Sequence, residues 1–208
     1  MWRAVLVVSA GLWLLVGWAY PLAMVGISQA AWPNQANGSI LYYRGKAVGT
    51  PLLGQAFNGE PGFFWGRPSA TVNAAGQPDP YNPLNSGPSN LGPDSRALVA
   101  HVARRIHQYL ESTPGLTVSE IPASLVESSG SGLDPDISPQ SAAIQIPRVS
   151  RATGLSPAVL RQLIAQATER PVFGLFGRPR VNVLLLNLEL VERLGHRPKL
   201  ARGGLPAR

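Results

Sequence analysis

The apolar positions of this sequence are concentrated at its beginning. Residues 4–27 contain no charged side chain and are dominated by Val, Leu, Ala, Gly and Trp. As an α-helix rising about 1.5 Å per residue, such a run is about 36 Å long, enough to cross a hydrocarbon core of about 30 Å. Trp2 and Trp32 bracket the run and suit the two membrane–water interfaces. The pattern predicts a transmembrane anchor helix over residues 1–31, kinked or interrupted at Pro21.

Two other interpretations of the apolar run stay open. A short basic start followed by Ser28-Gln29-Ala30 resembles a secretory signal peptide with its cleavage site, although the run exceeds the usual length of about 7–15 apolar residues. A buried core helix is the other alternative, and it would lack an amphipathic face. Arg3 favours a cytoplasmic N-terminus, because positive charge tends to stay inside. We therefore expect the rest of the chain on the outer side of the membrane.

Residues 32–93 show short apolar pieces between frequent turn signals. Asn-Gly, Gly-Arg-Pro and Asn-Ser-Gly-Pro sequences punctuate this stretch. The segments predicted to form strands are residues 39–43, 48–53 and 62–65. We expect irregular β structure that packs its aromatic side chains onto a core.

Apolar residues at helical spacing start after Pro93. Asp94 or Ser95 is the expected N-cap, and Pro114 with the following glycine is expected to end the helix. The predicted buried stripe consists of Leu98, Val99, Val102, Ile106, Tyr109 and Leu110. The arginines expected to face water or a partner are Arg96, Arg104 and Arg105.

The C-terminal half contains a repeated start signal for helices. Ser138 and Ser156 each precede a proline, which is the pattern of an N-cap followed by a first-turn proline. Pro147 is expected to interrupt or kink the first of these helices. Residues 122–126 predict a short strand, and residues 181–188 a buried strand, although a helical continuation is open for the latter.

These elements and the composition predict an α+β fold. Its parts are a single N-terminal transmembrane helix, one mixed, loop-rich extracytoplasmic domain over residues 32–195, and a basic disordered tail over residues 196–208. Absence of cysteine excludes disulfides and thiolate chemistry. The net charge of +7 comes from scattered residues without a nucleic-acid-binding motif, so we expect no nucleic-acid partner.

The most distinctive stretch is the loop over residues 128–139. It combines glycines, serines, aspartates and prolines, which favour a specific rigid turn over a flexible one. Asp134 is expected to cap backbone amides, because two carboxylates, at Asp134 and Asp136, are too few for a metal site. No histidine, lysine or thiol accompanies the loop, so we predict no catalytic residue; a hydrolase using Ser131 and Asp134 is a remote alternative.

The loop and further motifs occur in one consistent order along the chain. The loop positions are Ser129, Gly130, Ser131, Gly132, Leu133, Asp134 and Pro135. The other motif positions are Gln55, Arg67, Pro68, Ser69, Asn82, Asn90, Arg148, Asn182 and Asn187. Together they resemble KdpC, the family of a subunit of the bacterial Kdp potassium-transporting P-type ATPase. Pro88 and Pro147 depart from the family pattern.

The resemblance implies a non-catalytic accessory subunit in the plasma (inner) membrane. Such subunits work with a potassium-binding channel-like subunit (KdpA), a P-type ATPase subunit (KdpB), a small hydrophobic subunit (KdpF) and membrane lipid. They support assembly and raise the ATP affinity of the pump, and the complex handles ATP and potassium. The resemblance leaves open whether the loop contacts partners or stabilises the domain. An alternative is an anchored or secreted solute-binding module that uses the loop as a ligand cradle.

Overall fold

The computed structural model describes residues 1–195, so the predicted tail over residues 196–208 lies outside the described residues. The described chain mixes helices with short strands and long irregular segments, which confirms the predicted α+β class. Its contacts divide it into two compact units, Met1–Thr50 and a second unit that begins at Pro51. The predicted domain boundaries stay predictions.

The first unit begins with an apolar helical run that is long enough to cross a membrane, Trp2–Ala31. It consists of α1 (Trp2–Leu14), a π-helical segment (Leu15–Ala19) and α2 (Tyr20–Ala31). Pro21 does not end the run. A proline has no N–H and its ring crowds the preceding turn. The wider π segment, which ends two residues before Pro21, accommodates this inside a continuous helix.

The first unit ends with a short helix and a hairpin. The helix α3 (Pro33–Ala36) follows Trp32, which leaves helical geometry. The antiparallel strands β1 (Leu41–Tyr43) and β2 (Lys46–Gly49) then pair with a bulge at their open end. Strand structure is thus confirmed within the predicted residues 39–43, whereas the second strand begins earlier than the predicted residues 48–53 and overlaps them only at residues 48 and 49.

The second unit starts with a long segment without regular strands. Residues 62–65 are not a strand, so that prediction was wrong. Nevertheless Phe63, Phe64 and Trp65 are buried in the core. The segment obtains its burial without a neighbouring strand, and its hydrogen-bond partners are described with the functional site.

Helix α4 (Arg96–Ser112) confirms the predicted helix, with Ser95 as the N-cap that accepts a hydrogen bond from the Leu98 amide at 3.4 Å. The predicted stripe is only partly confirmed, because Tyr109 is its one fully buried member and Val99 is 62% exposed. Arg105 is not free to face water or a partner, since it donates to the Val126 carbonyl at 2.7 Å.

Two 3₁₀ turns, Val118–Glu120 and Ala123–Leu125, connect α4 to the loop. The predicted strand over residues 122–126 was therefore wrong. Pro122 accepts from the Leu125 amide at 2.9 Å, and Ala123 accepts from the Val126 amide at 3.0 Å. These bonds span three residues and satisfy the backbone locally, which leaves no edge for pairing with a strand.

The helices that follow are α5 (Pro139–Ala143), α6 (Ile146–Thr153) and α7 (Pro157–Gln166). Ser138 and Ser156 are N-caps, each followed by proline, as the sequence predicts. Pro147 lies in the first turn of α6, so the chain breaks into two helices before it. Gly154 ends α6 in the left-handed conformation with φ of 77°.

A small antiparallel sheet and a last helix complete the second unit. The sheet has the order β3–β5–β4, formed by Asp136–Ile137, Arg180–Asn182 and Thr168–Glu169. The predicted strand over residues 181–188 is confirmed only at residues 181 and 182, because α8 (Val183–Leu194) begins at the next residue. The helical continuation left open by the sequence is thus confirmed. Its buried side chains are Val183, Leu184, Leu186, Asn187, Leu190 and Val191.

Candidate functional site

The signature loop, residues 129–135, has a backbone that requires glycine at position 132. Gly132 has φ of +70°, and a Cβ atom there would lie 2.4 Å from Thr71 Cγ2 and 3.0 Å from the Gly87 carbonyl oxygen. A side chain would be strained and would also collide with its neighbours. At Gly130, by contrast, a Cβ atom would meet nothing within 4 Å. The chain thus packs closely against one glycine of the loop and leaves the other open.

Backbone hydrogen bonds fasten the signature loop to the segment over residues 68–87. The Ser129 amide donates to the Pro68 carbonyl at 3.1 Å. The Ser131 carbonyl accepts from the Gly87 amide and from the Ser86 hydroxyl, both at 2.9 Å. These bonds join the start of the loop to the rest of the second unit.

The end of the signature loop is fastened on two sides. The Leu133 carbonyl accepts from the Gly54 amide at 2.8 Å, and the Pro135 carbonyl accepts from the Val183 amide at 3.0 Å. Leu133 is itself buried. The loop consequently ties the irregular N-terminal part of the unit to the start of α8.

Asp134 forms an ion pair with Arg67 at 2.9 Å, and both side chains are partly buried. Its other carboxylate oxygen accepts from the Asp136 amide at 3.0 Å. The Arg67 carbonyl accepts a hydrogen bond from the Tyr81 hydroxyl. Burial raises the pKa of Tyr81 well above its usual value, and the nearby Asp134 adds to the rise. Tyr81 therefore stays protonated and acts as a donor at physiological pH.

A cluster of hydroxyl groups supports the same region. The Ser69 hydroxyl accepts from the Tyr81 amide at 2.9 Å and lies 2.9 Å from the Thr71 hydroxyl. Thr71 accepts from the Asn82 amide at 3.1 Å and donates to the Asp79 carbonyl at 2.6 Å. The side-chain oxygen of Asn82 accepts a hydrogen bond from the Leu84 amide at 2.9 Å, which stabilises the turn that contains both residues.

Asn182 joins β3, β5 and α8. Its amide nitrogen donates to the Pro51 carbonyl at 2.8 Å and to Asp136 at 3.3 Å, and its oxygen caps α8 by accepting from the Leu185 amide at 3.1 Å. Burial raises the pKa of Asp136, and Arg180 at 3.2 Å counteracts this rise. Asn182 thus connects the region around the signature loop to the last helix.

A second polar network holds the buried segment over residues 60–65. Asn187 accepts from the Phe64 amide at 2.8 Å and donates to the Phe64 carbonyl at 2.9 Å. Gln145 makes the same pair of bonds with Trp65, at 2.7 Å and 3.1 Å. Two side-chain amides therefore replace the neighbouring strand that this segment does not have. We call these two residues, together with Arg148, the amide clamp.

Arg148 completes the amide clamp. One of its terminal nitrogens donates to the carbonyls of Pro61 and Phe63, both at 2.8 Å, and the guanidinium lies 3.9 Å from the ring centre of Trp65. Burial lowers the pKa of Arg148 to about 10. Arg148 is still a cation at neutral pH and binds these carbonyl oxygens as a charged donor.

The predicted site residues thus divide between two networks. Arg67, Pro68, Ser69 and Asn82 support the signature loop, and Asn182 connects to it through Asp136. Arg148 and Asn187 belong to the amide clamp. Gln55 is half-buried and follows Gly54, whereas Asn90 is exposed with φ of 53°.

Thr71 and Arg105 are among the supporting residues that were not predicted from the sequence. Thr71 contacts the loop glycine and the hydroxyl cluster. Arg105 bonds Val126 and the Ser128 hydroxyl, the latter at 3.2 Å, and burial lowers its pKa. The hydrogen bonds of Thr71 are local, but its close approach to Gly132 joins positions far apart in the sequence, as do the hydrogen bonds of Arg105.

The described polar groups of the signature loop are paired mostly within the second unit. The loop carbonyls of Ser129, Ser131, Leu133 and Pro135 and the Asp134 carboxylate accept hydrogen bonds from donors of the same unit. Within residues 1–195, no group of three or more His, Asp or Glu side chains is arranged to hold a metal ion. A chain with an apolar membrane-spanning candidate and a tightly braced, loop-rich unit is consistent with a membrane-associated subunit.

Comparisons with known proteins agree with this class. The family described as "KdpC: K+-transporting ATPase, c chain" matches residues 2–192. A protein of Methylobacterium nodulans named "Potassium-transporting ATPase KdpC subunit" is 46% identical over 93% of this chain and 97% of its own length. Proteins of the same name from Variovorax paradoxus and Polaromonas naphthalenivorans are 48% and 50% identical over 90% of this chain, covering 94% and 92% of their own lengths. This chain belongs to the KdpC family, and it is a subunit of a potassium-transporting ATPase complex.

Proposed function

We propose that this chain is a non-catalytic accessory subunit that supports assembly of the complex and raises the ATP affinity of its P-type ATPase subunit. The observation that carries the proposal is the inward pairing of the signature loop. The loop carbonyls of Ser129, Ser131, Leu133 and Pro135 and both oxygens of Asp134 accept hydrogen bonds from the same unit. A loop paired in this way is suited to holding a fixed surface and poorly suited to attacking a substrate.

The proposed partners are a potassium-binding channel-like subunit (KdpA), the P-type ATPase subunit (KdpB) and a small hydrophobic subunit (KdpF). The apolar helix Trp2–Ala31 supports docking among their membrane helices, since it is free of charge from residue 4 to its end. In this arrangement the N-terminus is cytoplasmic, the second unit is extracytoplasmic, and ATP and potassium are bound by the partner chains.

This orientation requires that an effect on ATP be indirect. A domain on the outer side cannot touch cytoplasmic ATP. Its influence would arise because it binds one conformation of the pump better than another, and that difference in binding free energy biases an equilibrium shared with the ATP site. The closely fastened loop and clamp support such a role, because a rigid surface discriminates between partner conformations.

The test compares the purified complex with the same complex prepared without this chain. We expect the KM for ATP of potassium-stimulated hydrolysis to rise when the chain is absent and to recover when it is added back. The isolated chain should hydrolyse no ATP. An unchanged KM for ATP would contradict the affinity role, and recovery of the tagged chain as a lone monomer in mild detergent would contradict its membership in the assembly.

A further inference from the structure

The connection between β4 and β5 carries a cluster of exposed apolar side chains. We call residues 171–177 the apolar tip; their sequence is Pro-Val-Phe-Gly-Leu-Phe-Gly. Val172, Phe173, Leu175 and Phe176 are 56%, 88%, 80% and 69% exposed. Single exposed apolar residues are common on proteins, but four within five positions form a patch that requires a covering partner.

Much of the backbone of the apolar tip is hydrogen-bonded within the tip. Val172 and Phe176 exchange hydrogen bonds at 2.9 Å and 3.0 Å, and the amides of Gly174 and Leu175 donate to Pro171 and Val172 at 2.9 Å and 3.1 Å. Pro171 has no N–H to satisfy. In hydrocarbon, where no water is present, backbone polar groups must be paired internally. The pairing of these four amides lowers the cost of moving the tip out of water.

Basic side chains flank the apolar tip on both sides. Arg170 precedes it and Arg178 follows it, and both are exposed. Arg180, a little further on, pairs with Glu169 at 2.7 Å. Apolar residues flanked by arginines are suited to a bilayer surface. The apolar groups can enter the acyl region while the arginines stay among anionic headgroups.

We propose that the apolar tip inserts into the headgroup–acyl boundary of the membrane and binds anionic phospholipid through Arg170 and Arg178. The chain that carries it also carries the candidate anchor Trp2–Ala31, so the second unit is tethered to a bilayer. The tip adds a second, shallow contact to this tether. The proposal rests on the anchor and does not depend on the proposed effect on ATP.

The test uses site-specific fluorescence, since the chain contains no cysteine of its own. Full-length chains with Phe173→Cys or Phe176→Cys are labelled with an environment-sensitive fluorophore and reconstituted into phosphatidylcholine vesicles with or without phosphatidylglycerol. Leu84→Cys provides the matched control, because Leu84 is also apolar and is 93% exposed, but lies outside the tip.

We expect the tip labels to emit at shorter wavelength and to lose intensity when the vesicles contain lipids spin-labelled near the headgroup. The Leu84 label should stay water-like. Replacing Arg170 and Arg178 with glutamate should reduce the quenching in phosphatidylglycerol vesicles. Quenching at the tip no greater than at Leu84 would overturn the proposal. If the tip labels then became shielded only when the other subunits were added, the tip would be a protein-docking element instead.

Discussion

Gly132 is the residue at which the signature loop tolerates least change. Its positive φ and its close approach to Thr71 and the Gly87 carbonyl both disfavour a side chain at this position. The sequence predicted a rigid loop because glycine, proline, serine and aspartate each restrict or pair the backbone. It did not indicate which glycine was essential, because that depends on Thr71 and Gly87, which are distant in sequence.

We predict that Gly132→Ala lowers the free energy of unfolding by about 2 kcal/mol or more, from strain in the left-handed region and from overpacking. Gly130→Ala is the matched control. No atom lies within 4 Å of a Cβ atom at Gly130, and its φ is not positive. The melting temperature of the full-length chain in mild detergent measures both effects. Equal melting temperatures for the two variants would contradict the geometric account of the loop.

At the scale of elements, the amide clamp explains how an irregular segment can lie in a core. The aromatic run over residues 62–65 predicted a strand, and a strand would need a neighbour for its backbone. Asn187 and Gln145 supply the missing hydrogen bonds from helices instead. A pattern of apolar residues records burial, but it does not record which groups pair with the backbone.

We predict that Asn187→Leu destabilises the second unit by about 2–6 kcal/mol, because the buried N–H and C=O of Phe64 lose their partners at about 1–3 kcal/mol each. Leucine has the same number of side-chain heavy atoms as asparagine and the same branch at Cγ, so it leaves no cavity and the lost hydrogen bonds dominate the effect. Asn58→Leu makes the same replacement at an exposed position and should change the unfolding midpoint little. If both variants unfolded at the same denaturant concentration, the clamp would not contribute to stability.

Element boundaries were predictable where the signal was local. Ser95, Ser138 and Ser156 cap helices because the cap needs only the next turn of chain. The run over residues 181–188 was ambiguous, since continuous apolar residues suit a buried strand or a buried helix equally. The side-chain oxygen of Asn182 accepts a hydrogen bond from the Leu185 amide, and this N-cap favours the helix by starting α8.

At the scale of the whole molecule, family membership was recognisable from the ordered motifs, whereas the roles of their residues were not. The structure places Arg67 and Asp134 in one ion pair although they are 67 positions apart. Arg148 reaches carbonyls 85 and 87 positions away. Such long-range pairs are set by the final packing, so their spacing in the sequence carries no signal.

The apolar run at the N-terminus determines how the whole molecule is held, and a retained anchor and a cleaved signal peptide give different products. We predict that N-terminal sequencing of the chain purified from membranes finds Trp2–Ala31 still attached, and that alkaline washing does not release it. Val16→Arg should weaken membrane integration, because an arginine at the helix centre costs about 2.5–3.5 kcal/mol. Val99→Arg, the same replacement on an exposed face of α4, should leave integration unchanged. A mature chain that begins after Ala30 would contradict the anchor, and would also remove the tether on which the membrane contact of the apolar tip depends.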